Sequence, residues 1–393
     1  MPGTLVLPAR RTNDLSCICK RVFLRSFSAA RWLRFGSASV LPIPPILPFP
    51  RRIDMTSFRS DRRAWLQGLA AWSAAAATGA ASTAAWARPA PAGPDLAGVT
   101  LRVGTYKGLW RPLLQASGQA DTPYRIEWRE LNNGVLHIEA INGDALDLGS
   151  GSEIPAVFAA RQKASVRFVA VTHEDLNNQA TLARGDADIR TIADLKGRRV
   201  GYVRATTSHY YLARQLAEAG LSFADIQAVS LTPADGLSAF ARGDLDAWAI
   251  YGYNGQIART RHGARVVKTG VGYLSGNFPV YANPRALDDA RRGAAIGDLL
   301  QRLQRSFAWI NGNFLAYARA QSAETRVPVG DLVELFNRRS GDYSLAGVDE
   351  SVIRSHQQVA DTFRQLGVLD GAADVRPLWD RRYDTLLRGP SAA

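Results

Sequence analysis

The chain has 393 residues, a formal net charge of +13 and 46% hydrophobic residues, too long for one compact core. The charge is unevenly spread: residues 1–87 hold 12 Lys+Arg and 3 Asp, a net of +9, so only about +4 of the +13 remains for residues 88–393. Bulk attraction to nucleic acid is therefore excluded as a reading. Both cysteines, Cys17 and Cys19, also fall early, which excludes a disulfide, a thiolate metal site and a cysteine nucleophile from the rest.

Residues 1–54 are rich in Arg and Pro, with a Pro-broken run from Leu41 to Pro50. Repeated Pro removes amide donors and forbids helix, so this stretch is expected to be untranslated or disordered. Met55 stands ahead of Asp61-Arg62-Arg63-Ala64-Trp65-Leu66, an Ala-rich apolar stretch to Ala85, and Ala85-Trp86-Ala87. A basic pair, an apolar run and small residues at a cut site are the layout of an export signal. Residues 55–87 are thus expected to be a signal peptide starting at Met55 and cleaved after Ala87. Its arginine pair resembles the twin-arginine signal, although Asp61 stands where that pattern usually has Ser or Thr. About twenty apolar residues could also span a bilayer, but Ala, Ser, Thr and Gly give a weak insertion drive. With no cysteine after the cut, a soluble periplasmic protein without a lipid anchor is expected.

Downstream, strands alternate with helices. Leu101–Gly104 reads as a strand, Val135–Ile141 as a helix, Ala145–Leu148 as a strand, Ile154–Ala160 as a helix and Val166–Val171 as a strand. Arg199–Val203 is a strand, and Ser208–Ala219 a helix closed by Gly220. After the strand Ala228–Leu231, Thr232 caps a helix with Pro233 at its first position, Gly243 ends it, and Ala247–Tyr251 is a strand. Such alternation predicts βαβ units and a largely parallel sheet, the α/β class. Leu299, Leu300, Leu303, Phe307, Ile310 and Phe314 recur at helical spacing, and more helix follows at Leu332–Phe336 and Val359–Leu366. No internal repeat is legible.

Open α/β sheets place ligands beyond the C-terminal ends of their strands. Three loops lie there: Gly149-Ser150-Gly151-Ser152-Glu153, Arg204-Ala205-Thr206-Thr207-Ser208-His209 and Gly252-Tyr253-Asn254. The first two feed helices and offer amides, small hydroxyls and a positive dipole end, which suits an oxyanion. Ordinary capping is the better reading of either loop alone, with Ser150-x-x-Glu153 as a capping box, and only the two together bring binding level with it. Glu153 beside an anion would repel it or hold a cationic group.

The chain resembles the solute-binding proteins of ABC importers for aliphatic sulfonates, taurine and nitrate. The residues that carry the resemblance are Leu101–Lys107, Ile141–Asp147, Ile192–Val200, Ser208–Leu212, Pro233–Asp235 and Phe240–Trp248. It implies a type II periplasmic-binding fold: two α/β lobes, a ligand cleft and two crossing hinge segments near Gln179–Asp186 and Gly276–Asn283. Lobe one would take 98–182 and 278–388, lobe two 183–277. The implied function is capture of a small organic anion, foremost an aliphatic sulfonate as a sulfur source, by a monomer that docks on an inner-membrane permease. Taurine, nitrate and thiamine precursors are alternative ligands. Carried over by position, the anion cradle is Ser150, Gly151 and Ser152 with Thr206, Thr207, Ser208 and His209, with His209 either donating to the ligand or capping its helix. Tyr106 and Lys107 end the first strand, with Lys107 either balancing charge or solvated at the surface. Trp248 and Tyr251 would line an apolar wall, although a Trp at a strand end is more often plain core. The first loop departs from the family in Ser152-Glu153, and Tyr251–Asn254 stand where an acidic or aromatic-Pro pair is common.

A same-fold enzyme would need reactive or metal-binding groups. His137, His173, His209, His262 and His356 lack ligand-like spacing, and no nucleophile elbow or phosphate loop occurs. No cofactor, no metal and no catalytic residue are expected. A sensor domain docking on a signalling receptor would have the same sequence features.

Overall fold

The computed structural model describes residues 94–388; the extension and export signal expected over 1–87 lie outside them. Eleven strands form two sheets: β1 Thr100–Thr105, β2 Arg125–Glu130, β3 Leu148–Ser150, β4 Arg167–His173, β5 Gln179–Ala183, β6 Arg199–Tyr202, β7 Gln227–Ser230, β8 Ala247–Tyr251, β9 Arg265–Thr269, β10 Asn277–Ala282 and β11 Ser344–Ala346. The first sheet has the order β11-β4-β10-β3-β1-β2 and the second β7-β6-β8-β5-β9.

Among the described strands, parallel pairing joins β1 with β2 and β3, and β6 with β7 and β8. These are the strands joined through helices, as βαβ geometry requires. In contrast, β10 runs antiparallel to β3 and β4, and β5 antiparallel to β8 and β9. The expectation of a largely parallel sheet is corrected accordingly. Both antiparallel strands enter their sheet directly from the other one, through Glu174–Asn178 and Gly270–Gly276. Gln179–Ala183 and Asn277–Ala282, expected at the crossings, are strands instead. The crossings are tied together where the Glu174 amide donates to the Gly276 carbonyl at 3.1 Å.

Local signals explain most helices. Thr232 caps Pro233–Arg242 by accepting from the Asp235 amide, and Gly243 ends it at φ 84°, where a side chain would be strained. The long apolar face runs on Ala290–Ile310 and packs Leu299, Leu303 and Phe307 against Leu101 and Val103 of β1. Phe314 belongs to the next helix, Phe314–Thr325, because the chain breaks at Asn311–Asn313. The strand expected at Ala145–Leu148 starts only at Leu148. Asp144 is left-handed at φ 58°, and Asp147 instead turns its carboxylate back onto Arg102.

Candidate functional site

Both helix-start loops line one cavity of about 470 Å³ between the sheets. From the first sheet come Ser150, Gly151 and Ser152, where β3 passes into the helix Glu153–Arg161. The helix is capped by Ser152, whose side chain accepts from the Ile154 amide at 3.4 Å. The Ser150–Glu153 capping box is therefore corrected: Ser150 ends the strand and its hydroxyl is left facing the cavity. Gly151 is required by close approach, since a Cβ there would lie 2.6 Å from the Tyr281 hydroxyl and 3.0 Å from the Gly134 Cα. The Tyr281 hydroxyl fixes the loop by donating to the Ser152 carbonyl at 2.5 Å.

Behind this loop stands His137, fully buried and stacked on Tyr106 with ring centroids 4.9 Å apart. Burial pushes its pKa down to about 4, so the ring is neutral. Its Nδ1 accepts from the Ser150 amide at 3.1 Å, which leaves Nε2 as the donor facing the Leu131 carbonyl. Sequence reasoning counted His137 only among scattered histidines. Its position four residues into a helix gives no sign that the ring supports a loop thirteen residues later.

From the second sheet come Thr206 and Thr207, at the start of the helix Thr207–Glu218. The Thr206 hydroxyl donates to the Val203 carbonyl at 2.8 Å and lies 3.0 Å from the Ser208 hydroxyl, which accepts from the Val203 amide at 3.0 Å. These hydroxyls hold the turn rather than face the cavity. The turn also sets Ala205 at φ 56°, a costly conformation for a residue with a Cβ. Among the described residues, the Ser150 and Thr207 hydroxyls and the amides of Ser152, Thr206 and Thr207 have no protein partner. They are what this end of the cavity offers an anion.

Of the other expected site residues, Tyr106, Lys107 and Tyr251 line the cavity and four do not. Glu153 points behind its helix, where its carboxylate accepts from Ser275 at 2.7 Å and Asn277 at 3.1 Å; burial lifts its pKa to about 7. Ser208 is spent on the turn. His209 accepts from the Ala205 amide at 3.3 Å and packs among Tyr202, Phe223 and Phe363, its pKa pushed down to about 4 mainly by burial. Trp248 is core, packed on Phe240 and Gly236. Lys107 is exposed at the cavity edge.

The third loop is not a loop alone. Gly252, at φ 67°, caps the helix Tyr253–His262, so a further helix start lines the cavity from the second sheet. The sequence also concealed the apolar wall of Phe278, Phe307, Ile310, Tyr317, Phe336 and Tyr343. Of these, Phe307, Ile310 and Phe336 read as helix in the sequence and Phe278 fell in the expected second crossing, while Tyr317 and Tyr343 carried no signal; it is the fold that brings all six to the cavity.

Against known proteins, residues 126–274 match the family model described as NMT1/THI5 like. An aliphatic sulfonates-binding protein of Escherichia coli (strain K12) is 31% identical over 281 residues, 70% of this chain and 87% of that protein. Among solved structures, the alkanesulfonate-binding protein SsuA of Xanthomonas axonopodis pv. citri, bound to MOPS, is 26% identical with a TM-score of 0.66, covering 74% of this chain and 99% of that one. The periplasmic aliphatic sulphonate binding protein SsuA of Escherichia coli is 27% identical with a TM-score of 0.63, covering 76% and 96%. The desulfurization enzyme DSZB shares the fold at 16% identity and a TM-score of 0.51, so the architecture also serves catalysis. The two sheets, the paired crossings and these similarities together place the chain in the aliphatic sulfonate-binding family of periplasmic solute-binding proteins of ABC importers.

Proposed function

We propose that this chain captures a small organic anion, an aliphatic sulfonate, in the periplasm and delivers it to an ABC permease for uptake as a sulfur source. The observation that carries this reading is the convergence of two helix starts from opposite sheets on one cavity, with unpartnered amides and hydroxyls. A sulfonate is fully ionised, tetrahedral at sulfur and presents three acceptor oxygens. Burying such a charge unpaired is prohibitive, and charge-assisted hydrogen bonds from fixed amides and hydroxyls are the remedy. The Xanthomonas relative holds MOPS, itself a sulfonate.

In this reading the protein is a monomer without catalytic groups, exported through its twin-arginine-like signal. Its two lobes rotate about Glu174–Asn178 and Gly270–Gly276, and ligand shifts an open–closed equilibrium toward the form that docks on the permease. The test is a melting-temperature panel of alkanesulfonates, taurine, aryl sulfonates, nitrate and thiamine precursors. Alkanesulfonates should stabilise the protein by about 2.7 kcal/mol at about 100 times the dissociation constant. A shift with nitrate or a thiamine precursor alone would overturn the reading.

A further inference from the structure

The cavity that receives the anion also carries a carboxyl group. Glu174 follows β4 directly and lines the cavity, and Ser150 ends β3 at the same end of the first sheet, with only β10 between. The Glu174 backbone is fixed where the crossings meet, since its amide donates to the Gly276 carbonyl. Its Oε1 accepts from the Thr172 hydroxyl at 2.8 Å. Among the described residues, Oε2 has no protein partner and is left to the cavity.

The surroundings do little to hold a negative charge there. Tyr106 faces the carboxyl from the end of β1, Tyr317 from the helix Phe314–Thr325 and Tyr343 from just before β11. The adjacent Asp175 adds a second carboxylate, itself held by the amides of Asn177 and Ser340 and by the Ser340 hydroxyl. His173 faces Asn277 and Asp349 instead, and Arg339, beside Tyr343, pairs with Asp342. Among the described residues lining the cavity, Lys107 is the one cation, and both it and Glu130 are exposed. Desolvation, only partly offset by the Thr172 hydrogen bond, lifts the pKa of Glu174 to about 7.

An anion entering this cavity shifts the balance twice. Its charge and its apolar tail, which displaces water from Oε2, both favour the neutral acid. Enclosing two negative charges with no buried cation is costly, and a proton taken from solvent removes that cost. With Thr172 donating to Oε1, Oε2 is the oxygen free to carry the proton.

We infer that the cavity takes its anion together with one proton, held on Oε2 of Glu174. The inference rests on the proposed sulfonate reading and adds the proton.

The test is calorimetric titration of butane-1-sulfonate at about pH 6 and about pH 8, either side of the Glu174 titration. The run at the higher pH is made in both phosphate and Tris, whose unlike ionisation enthalpies report proton uptake. The ligand stays ionised throughout, so the proton is the protein's. Free Glu174 is charged above its pKa, so the wild type should take up about one proton at the higher pH and bind about tenfold more weakly there. Glu174→Gln should take up none and bind equally at both pH values. In Thr172→Val the carboxyl loses its donor, so the weakening should move to higher pH, a readout that also serves if E174Q does not fold. Equal affinity at both pH values without proton uptake overturns the inference and leaves the sulfonate reading intact. Uptake that persists in E174Q, or an unmoved pH range in T172V, overturns the assignment to Glu174. No binding at either pH overturns the sulfonate reading and the inference with it.

Discussion

The two lobes are built on one plan. Each runs edge strand, first strand, third strand, antiparallel crossing strand and a further strand: β2-β1-β3-β10-β4 in one and β7-β6-β8-β5-β9 in the other. At the same place in each, an Arg on the first strand is gripped by an Asp leading into the third. Arg102 takes Asp147 through its amide at 2.8 Å, its Nε at 3.2 Å and its guanidinium at 2.6 Å. Arg199 takes Asp246 through the same three groups at 2.9, 3.1 and 2.7 Å. In each lobe a buried neutral histidine also accepts an amide from the loop that starts the helix at the cavity, His137 from Ser150 and His209 from Ala205. The lobes differ in how deeply the plan is buried. Asp147 has a side chain 1% exposed and a second cation, Arg292, at 3.4 Å, whereas the Asp246 side chain is 24% exposed. Identical geometry therefore carries unequal weight, because solvent replaces a lost partner in one lobe and cannot in the other.

The largest effect expected from this contrast is that of Asp147→Ala. It strips both arginines of a buried partner and should cost about 3–5 kcal/mol in denaturant unfolding.

Next is the acid response of the two loop histidines. Their pKa values near 4 lie below the ordinary 6.5, so the unfolded chain takes up protons first as pH falls. Each contributes about 3 kcal/mol that is present above pH 6.5 and lost as pH drops toward 4. Glu153 and Glu174, lifted to about 7, act oppositely: their contribution is present below 4.5 and lost as pH rises to 7. Comparing wild type with His137→Gln and His209→Gln isolates the histidine part. The deficit in melting temperature of each variant relative to wild type should shrink as pH falls from 6.5 to 4, and a deficit that stays constant over that range would contradict the neutral-imidazole assignment. The smallest effect is that of Asp246→Ala, about 1 kcal/mol, because solvent screens its partner. Equal losses for D147A and D246A would remove the contrast.

What the sequence disclosed follows the range of the interactions involved. Thr232-Pro233 and Gly243 are complete local signals, so the bounds of that helix were legible, as were β1, β6 and β8. The crossing strands were not, because Gln179–Ala183 is buried on both faces and shows no alternation. Glu153 was misread as a cap partner because its true partners, Ser275 and Asn277, lie over 120 positions away. The repeated plan of the lobes was hidden for a related reason. It lies in the hydrogen-bond geometry around Asp147 and Asp246, each of which reaches an Arg more than forty positions away.

The central claim is that both lobes grip one anion. Calorimetric titration of butane-1-sulfonate into Ser150→Ala and Thr207→Val, one change in each lobe, tests it most directly. Each change removes a hydroxyl donor without adding bulk. Both should weaken binding about tenfold or more, as expected for hydrogen bonds to a charged group. An affinity within about twofold of wild type for either variant would contradict a grip shared between the lobes.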